Sequence, residues 1–255
     1  MLLLVYGLVV GVSLGLTGGG GSIITVPLLV YVVGEGVQDA IATSLVIVGA
    51  VALSAFLTRL RQADIAAGCI VGFAGLLGAI PGRLAAQFFS GRLLLLLFAL
   101  IMLVAASAMF RSKTYANPNS QRNWLLVLLA GVGLGFLTGF LGVGGGFLIV
   151  PVLVLLLGMQ MPTAIPTSLL VITLNCSAAL AGGLVLRHSP QRAGDVHWVV
   201  ALLFIIGGMA GGALGAAIAR RLEGKMLKRV FALFVFCVGL FVAASAAGLV
   251  PLRVQ

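Results

Sequence analysis

Two glycine-rich stretches decide the fold: residues 11–27 read GVSLGLTGGGGSIITVP, and residues 135–151 read GFLTGFLGVGGGFLIVP. Each stretch interrupts an otherwise apolar segment. Glycine leaves helical geometry at low steric cost, so each stretch predicts a break in a helix. Backbone outside a helix is tolerated at membrane depth only where protein or water covers it. We therefore expect both breaks inside the protein and away from lipid.

The apolar segment around the first stretch has the wrong length for a single membrane-spanning helix. At ~1.5 Å per residue, residues 2–33 would form a helix about 48 Å long, against a hydrocarbon core of ~30 Å. The pieces on either side of the break, residues 2–16 and 22–33, would be about 22 and 18 Å long, and each is too short to cross. A re-entrant hairpin fits these lengths, and the second stretch predicts another.

The composition places the whole chain in a membrane. Of its 255 residues, 62% are hydrophobic and 8% are charged, and the mean hydropathy is +1.27, which excludes a soluble domain. The net charge of +10 arises from basic residues between apolar runs, so it indicates membrane topology and no nucleic acid partner. We predict an all-α, multi-pass membrane protein. Its apolar segments are residues 2–33, 40–58, 65–89, 93–110, 124–157, 163–186, 196–219 and 226–250.

The two halves of the chain are copies of each other. An offset of 124 residues aligns residues 7–55 with residues 131–179 without a gap, and 17 of these 49 positions are identical. A polar stretch at residues 111–123 separates the copies. We therefore predict a first repeat at residues 1–110, a linker at 111–123 and a second repeat at 124–255, with four helical segments in each repeat.

Basic residues predict how the repeats lie in the membrane. If both broken segments return to their own side, ten Lys and Arg face one side and five face the other; if every segment crosses, the split is eight to seven. Cytoplasmic loops are enriched in Lys and Arg, so only the hairpin arrangement gives an orientation. Three full crossings per half then make the repeats inverted, with a tilted, broken, spanning helix as the alternative. The predicted cytoplasmic side carries Arg59, Arg61, Arg111, Lys113, Arg122, Arg220, Arg221, Lys225, Lys228 and Arg229.

Side chains that could perform catalysis are few. The five acidic residues lie near predicted segment ends, and His188 and His197 lie in or beside one loop, so no nucleophile, base and orienting group come together. The histidines lack the i, i+4 spacing of a helical metal site, and the glycine runs lack the lysine of a phosphate-binding loop. The sequence predicts a protein that is not an enzyme and that has no metal and no cofactor.

The glycine breaks themselves have two alternative roles. In a hairpin, the helices that begin near Ser22 and Gly146 point their N-termini into the bilayer interior, where free amides and the helix dipole favour an anion. Glycine also lets helix backbones pack closely, which explains the same residues without a ligand. The sequence leaves both roles open.

Polar side chains near the breaks complete the candidate site. The pairs Thr43–Ser44 and Thr167–Ser168 occupy equivalent positions in the two halves, and their hydroxyls can cap helices or donate hydrogen bonds to a ligand. Asn175 lies inside a predicted span, where it lines a pathway or bonds neighbouring helices. The candidate substrate-binding residues are Gly20, Gly21, Ser22, Thr43, Ser44, Gly144, Gly145, Gly146, Thr167, Ser168 and Asn175.

The duplicated pattern GxxxGxxGxGGGxxxxP, strict in residues 135–151 and looser in residues 11–27, is followed in each half by TSL. This combination resembles the TauE/SafE sulfite exporter family of bacterial inner-membrane permeases, over essentially the whole chain. The resemblance implies a permease for sulfite, sulfonates or related small organic anions. We expect potential-driven export, because an inside-negative potential favours outward movement of a monovalent anion by ~2.3 kcal/mol per 100 mV. The alternatives are import or exchange of another small metabolite such as a carboxylate, and a helical scaffold that transports nothing; a homo-oligomer is compatible with each.

Overall fold

The computed structural model of the chain describes residues 2–86, 88–89, 91–111, 123–141, 146–185 and 196–246. All regular secondary structure in these residues is helical, as predicted. A π-helix (Leu29–Val33) continues α2, and a 3-10 turn (Leu60–Gln62) lies between α3 and α4. The helices are α1 (Leu2–Thr17), α2 (Gly20–Leu28), α3 (Val37–Leu57), α4 (Ile65–Ala86), α5 (Gly91–Arg111), α6 (Trp124–Leu141), α7 (Gly146–Leu155), α8 (Met161–Val185), α9 (Trp198–Arg221) and α10 (Gly224–Ala246).

Five of these helices, α3, α4, α8, α9 and α10, are long and apolar enough to cross a membrane. Their outer faces expose large apolar side chains: Leu77 is 71% exposed and Ile80 is 66% exposed. A water-soluble protein rarely exposes such a continuous apolar surface, whereas lipid covers it without cost. The predicted all-helical membrane fold is therefore confirmed.

The predicted break in the first segment lies at Gly18 and Gly19, between α1 and α2. Gly18 has φ +73°, in the left-handed region that favours glycine, and its amide donates to the carbonyl of Leu14 over 2.8 Å. Helix α2 then starts at Gly20, two residues before the predicted start at Ser22.

The second segment is also divided in two. Helix α6 ends at Leu141 and α7 begins at Gly146, while residues 142–145 lie outside the described part of the chain. Helix α7 has ten residues, and α2 has nine, followed by five in the π-helix. At ~1.5 Å per residue neither piece reaches across a ~30 Å hydrocarbon core. Both pieces are therefore half-helices, as the segment lengths predict.

Helices α1 and α9 pack backbone against backbone along a line of glycines. A methyl group on any of three α1 glycines would overlap the α9 backbone, and residue numbers rise together along the contact, so the two helices run in the same direction. Small residues allow this close approach between helices in membranes. The contacting pairs are Gly7 with Phe204, Gly11 with Gly208 and Gly15 with Gly212.

Helices α4 and α6 repeat this arrangement. They also run in the same direction, and a methyl group on three α6 glycines would overlap α4. Each half therefore begins with a helix that packs in parallel on the third apolar segment of the other half. The contacting pairs are Gly131 with Val71, Gly135 with Gly75 and Gly139 with Ala79.

The middle of the molecule is formed by α3 and α8, which pack on each other and, respectively, on α9 and α4. The α-carbon of Gly49 in α3 lies against Cys176 in α8. Helices α5 and α10 form another pair, and Phe98 of α5 contacts Phe147 of α7 edge to face, with ring centroids 5.0 Å apart. This packing holds both half-helices against the central pair.

Candidate functional site

The two half-helices meet at their N-termini. Gly19, which precedes α2, lies so close to the first residue of α7 that any side chain on Gly19 would overlap the carbonyl of Gly146. The contact is also close when described from α7: a methyl group on Gly146 would lie 2.8 Å from Oγ of Ser22 and 3.3 Å from the carbonyl oxygen of Gly19. We call Gly18, Gly19, Gly20, Ser22 and Gly146 the half-helix junction.

The electrostatics of this junction follow from the direction of the half-helices. Each helix N-terminus carries partial positive charge, on the order of half an elementary charge, and amides without an intrahelical acceptor. Two such ends in contact repel each other unless negative charge lies near them. One of these first-turn amides has an acceptor within the protein, because the amide of Gly20 donates a hydrogen bond to Oγ1 of Thr17 over 2.9 Å. The remaining first-turn amides are the donors best suited to an anion.

Ser168 of α8 fixes the first break. Its Oγ is fully buried and lies 2.7 Å from the carbonyl oxygen of Gly18 and 2.7 Å from that of Ile165, so one hydroxyl hydrogen is shared between two carbonyls. A methyl group on Gly18 would lie 2.6 Å from the same Oγ. In the other half, Ser44 donates to the carbonyl of Ile41 over 2.8 Å.

The two threonines hold helices of the opposite half. Oγ1 of Thr167 accepts a hydrogen bond from the amide of Asp64, which immediately precedes α4. Oγ1 of Thr43 accepts one from the amide of His197, which immediately precedes α9, over 3.2 Å. The sequence left capping and ligand binding open for these hydroxyls. Both threonines are fully buried and cap a helix, but each caps a helix of the other half.

Four hydroxyl groups of the candidate site, those of Ser22, Ser44, Thr167 and Ser168, donate hydrogen bonds within the protein. Ser22 donates to the carbonyl of Gly19, Ser44 to that of Ile41 and Thr167 to that of Thr163. A hydroxyl group has one hydrogen to donate. These four side chains are therefore not free to donate to a ligand in this conformation, whereas first-turn backbone amides are.

The predicted site residues fall into three groups. Gly20, Ser22, Gly146 and Ser168 lie at or beside the junction, with Gly21 packed on α1; Thr43, Ser44 and Thr167 lie along the central helices; Gly144 and Gly145 lie outside the described residues. Asn175 lies further along α8 and faces Gly75 of α4, where a methyl group on the glycine would lie 3.9 Å from Oδ1 of Asn175. Among the described residues this buried Oδ1 has no hydrogen-bond partner.

Two buried charges were missed by reasoning from sequence. Glu35 is 6% exposed and its Oε1 lies 2.9 Å from Nδ1 of His197, while the described residues offer its Oε2 no hydrogen-bond partner. Arg59, after α3, is 5% exposed. One signal was present for the first, because Glu35 stands opposite Met159 in the aligned repeats and so departs from the duplicated pattern.

Comparison with known proteins agrees with this architecture. The sequence matches the family described as "Sulfite exporter TauE/SafE" over residues 3–242. A "Probable membrane transporter protein" of Xylella fastidiosa strain 9a5c is 37% identical over 243 residues, covering 91% of this chain and 90% of the relative. The "Probable membrane transporter protein YunE" of Bacillus subtilis is 28% identical over 267 residues, covering 94% and 95%. No solved structure matches the chain.

These matches extend over nearly the whole chain, and its helices suit a bilayer. They point to transport and away from enzymatic activity, and they imply a lipid bilayer and a small-molecule substrate as partners. The chain is a multi-pass membrane protein and belongs to the TauE/SafE sulfite exporter family of membrane transporters.

Proposed function

We propose that the protein exports a small anion, of the sulfite or organosulfonate type, across the bacterial inner membrane through the half-helix junction. The observation that carries this proposal is the contact between Gly19 and Gly146, which brings two helix N-termini together in the protein interior. An anion between them is stabilised by both dipoles and by first-turn amides. The name of the matching family supports the substrate class.

The charge distribution around the junction supports an anion over a cation. The acidic residues that the structure describes, Glu35, Asp39, Asp64 and Glu223, lie in a first helical turn or between helices. A cation site in a membrane usually contains acidic side chains or an array of carbonyls. Amide hydrogens at a helix N-terminus offer the opposite polarity.

Within this proposal the candidate residues have different roles. The amides of Gly21, Ser22 and Gly146 contact the anion, Gly20 lies beside it with its own amide bonded to Thr17, and Asn175 lies along the path of the anion. The pairs Thr43–Ser44 and Thr167–Ser168 position the half-helices through hydrogen bonds to backbone. Backbone donors with fixed geometry suit a small oxyanion, because they do not reorganise when it binds.

The repeats, residues 1–110 and 124–255 joined by residues 111–123, are proposed to be inverted in the membrane. Helix α9 begins beside the start of α3, since His197 bonds Thr43, and α1 runs parallel to α9. These contacts support a placement of the start of α1 and the start of α3 on one membrane side, with α1 and α2 as a re-entrant hairpin. The bond between Asp64 and Thr167 gives the same result for α6 and α7 on the other side.

Flux into and out of proteoliposomes tests the function. We expect sulfite and methanesulfonate to cross faster than in protein-free vesicles, and an imposed potential to accelerate their movement toward the positive side. Gly19→Ala should lower the flux at least about tenfold, because its methyl group overlaps Gly146. Gly36→Ala is the matched control, since Gly36 has φ −58° and a methyl group there would meet Asp39 only at 3.4 Å.

Three results would contradict the proposal. Flux of acetate without flux of sulfite or methanesulfonate would assign a different substrate class. Sulfite flux that ignores the potential would remove the proposed driving force. Equal flux through the Gly19→Ala and Gly36→Ala variants would show that the anion does not pass through the half-helix junction.

A further inference from the structure

A buried arginine lies outside the candidate site, in the connection between α3 and α4. Arg59 is 5% exposed, although its loop neighbours Leu60, Arg61 and Gln62 are exposed. Its backbone is tied into the loop: its amide donates to the carbonyl of Phe56, and its carbonyl accepts from the amide of Gln62, each over 2.9 Å. The loop therefore holds this side chain against the protein.

Two of the three guanidinium nitrogens of Arg59 are buried without an acceptor among the described residues. In the described part of the chain, neither Nε nor Nη2 donates a hydrogen bond. A buried donor left without a partner costs free energy, and more so when it is charged. Native proteins therefore satisfy such groups with a side chain, water or a bound ligand.

The surroundings of Arg59 are electropositive. Burial, and secondly the positive charge of Arg220 at the end of α9, lower the pKa of Arg59 from its ordinary value to about 10. Arg59 thus remains charged at neutral pH and shares its surroundings with a second cation. Water can accept its hydrogen bonds but cannot compensate two positive charges, whereas an anion does both.

We propose that Arg59, with Arg220 beside it, forms an oxyanion-binding site between the α3–α4 loop and the C-terminal end of α9. Adjacent guanidinium nitrogens bind two oxygens of one sulfate, phosphate or carboxylate group in parallel. The oxyanion is either free in solution or the phosphate of a lipid headgroup. The site lies on the predicted cytoplasmic side and is separate from the half-helix junction, so it does not depend on the proposed transport pathway.

The test counts bound oxyanions per chain in the purified protein. Sulfate binding is measured by isothermal titration calorimetry in dodecyl maltoside, and retained lipid is measured as phosphorus after reconstitution in phosphatidylglycerol vesicles and re-extraction. Arg59→Gln should bind one sulfate fewer, or retain one phospholipid fewer, than the unmodified protein. The first result assigns a free oxyanion and the second a lipid headgroup. The difference in the count between Arg59→Gln and the unmodified protein does not depend on whether the half-helix junction also binds sulfate, because the junction is the same in both proteins.

Arg61→Gln is the matched control, because it removes the same charge from an exposed position in the same loop. It should leave both counts unchanged, and Arg220→Gln should weaken sulfate binding by about threefold through the loss of a neighbouring charge. Both counts unchanged in Arg59→Gln would overturn the proposal, and so would equal losses in Arg59→Gln and Arg61→Gln.

Protein stability separates this site from a structural arginine. In protein from which bound phospholipid has been removed, as its phosphorus count shows, Arg59→Met keeps the apolar stem and removes an uncompensated charge. Without sulfate it should therefore unfold at the same or a higher temperature than the unmodified protein. Sulfate should then raise the unfolding temperature of the unmodified protein more than that of the variant. A lower unfolding temperature for Arg59→Met without sulfate would overturn the proposal, as would equal stabilisation of both proteins by sulfate. If Arg59→Gln does not fold, these measurements on Arg59→Met test the proposed oxyanion site in its place.

Discussion

The amide of Asp64 donates a hydrogen bond to Oγ1 of Thr167 over 3.0 Å, joining residues 103 positions apart. Asp64 precedes α4, so the bond satisfies a backbone donor that a helix start otherwise leaves free. Thr43 does the same for His197 at the start of α9. Two equivalent threonines therefore connect the two halves of the chain reciprocally.

This connection predicts the effect of removing the hydroxyl. Thr167→Val keeps the shape of the side chain but leaves the Asp64 amide without its acceptor, and we expect the free energy of unfolding to fall by about 1–3 kcal/mol. Thr167→Ser keeps the acceptor and should cost less. Thermal unfolding in detergent measures both, and equal losses for Val and Ser would show that the hydrogen bond is not the cause.

Glycines of α6 predict opposite effects of the same substitution. A methyl group on Gly135 would overlap the backbone of Gly75, whereas one on Gly133, two residues away, meets nothing within 4 Å. Gly135→Ala should therefore destabilise the protein by about 1–3 kcal/mol, while Gly133→Ala should stabilise it by up to ~1 kcal/mol through helix propensity. Unfolding in detergent compares them. Equal stability of the two variants would contradict the close packing of α4 and α6.

The proposed hairpins predict which positions a membrane-impermeant maleimide reaches. In a background with Cys69, Cys176 and Cys237 replaced by Ala, single cysteines at Leu2 and Gly36 should be labelled from one side of the membrane. Cysteines at Asn123 and Gln160 should be labelled from the other side. All four native residues are exposed. Labelling of the cysteines at Leu2 and Gly36 from opposite sides would mean that the first segment crosses.

The contact between Glu35 and His197 predicts a measurable coupling. The Glu35 side chain is buried and the His197 ring is half exposed, with Oε1 and Nδ1 2.9 Å apart. A double-mutant cycle of Glu35→Ala and His197→Ala should give a coupling energy of about 1 kcal/mol. Glu223→Ala combined with His197→Ala is the control, because Glu223 follows the other end of α9, and its coupling should be near zero. Coupling as large in the control cycle would contradict a direct interaction.

Much of the fold follows from the sequence. The apolar segments predict the helices, and the glycines predict the break at Gly18 and Gly19, because a left-handed φ and close backbone contact both require glycine there. The start of α2 is displaced from Ser22 to Gly20 because Thr17 accepts a hydrogen bond from the Gly20 amide. A cap of this kind depends on side-chain geometry that hydropathy does not contain.

The partners of the site residues could not be predicted in the same way. Repetition identifies Thr43 and Thr167 as equivalent, but their bonding partners lie in the opposite half, and periodicity within one half contains no information on contacts between halves. Arg59 presents a similar difficulty. A charge after a helix end is normally solvated, and only the packing of the loop shows that this one is buried.

The parallel packing of α1 on α9 restricts the conformational changes that such a transporter can make. Two backbones in direct contact leave no long side chains between them that could slide or repack, so the pair resists shear. If the transporter works by a rocking motion, α1 would move together with α9, a helix encoded in the second half of the chain. Under such a motion each moving body would combine helices from residues 1–110 and residues 124–255, so the boundary between the moving bodies would not follow the proposed boundary between the repeats.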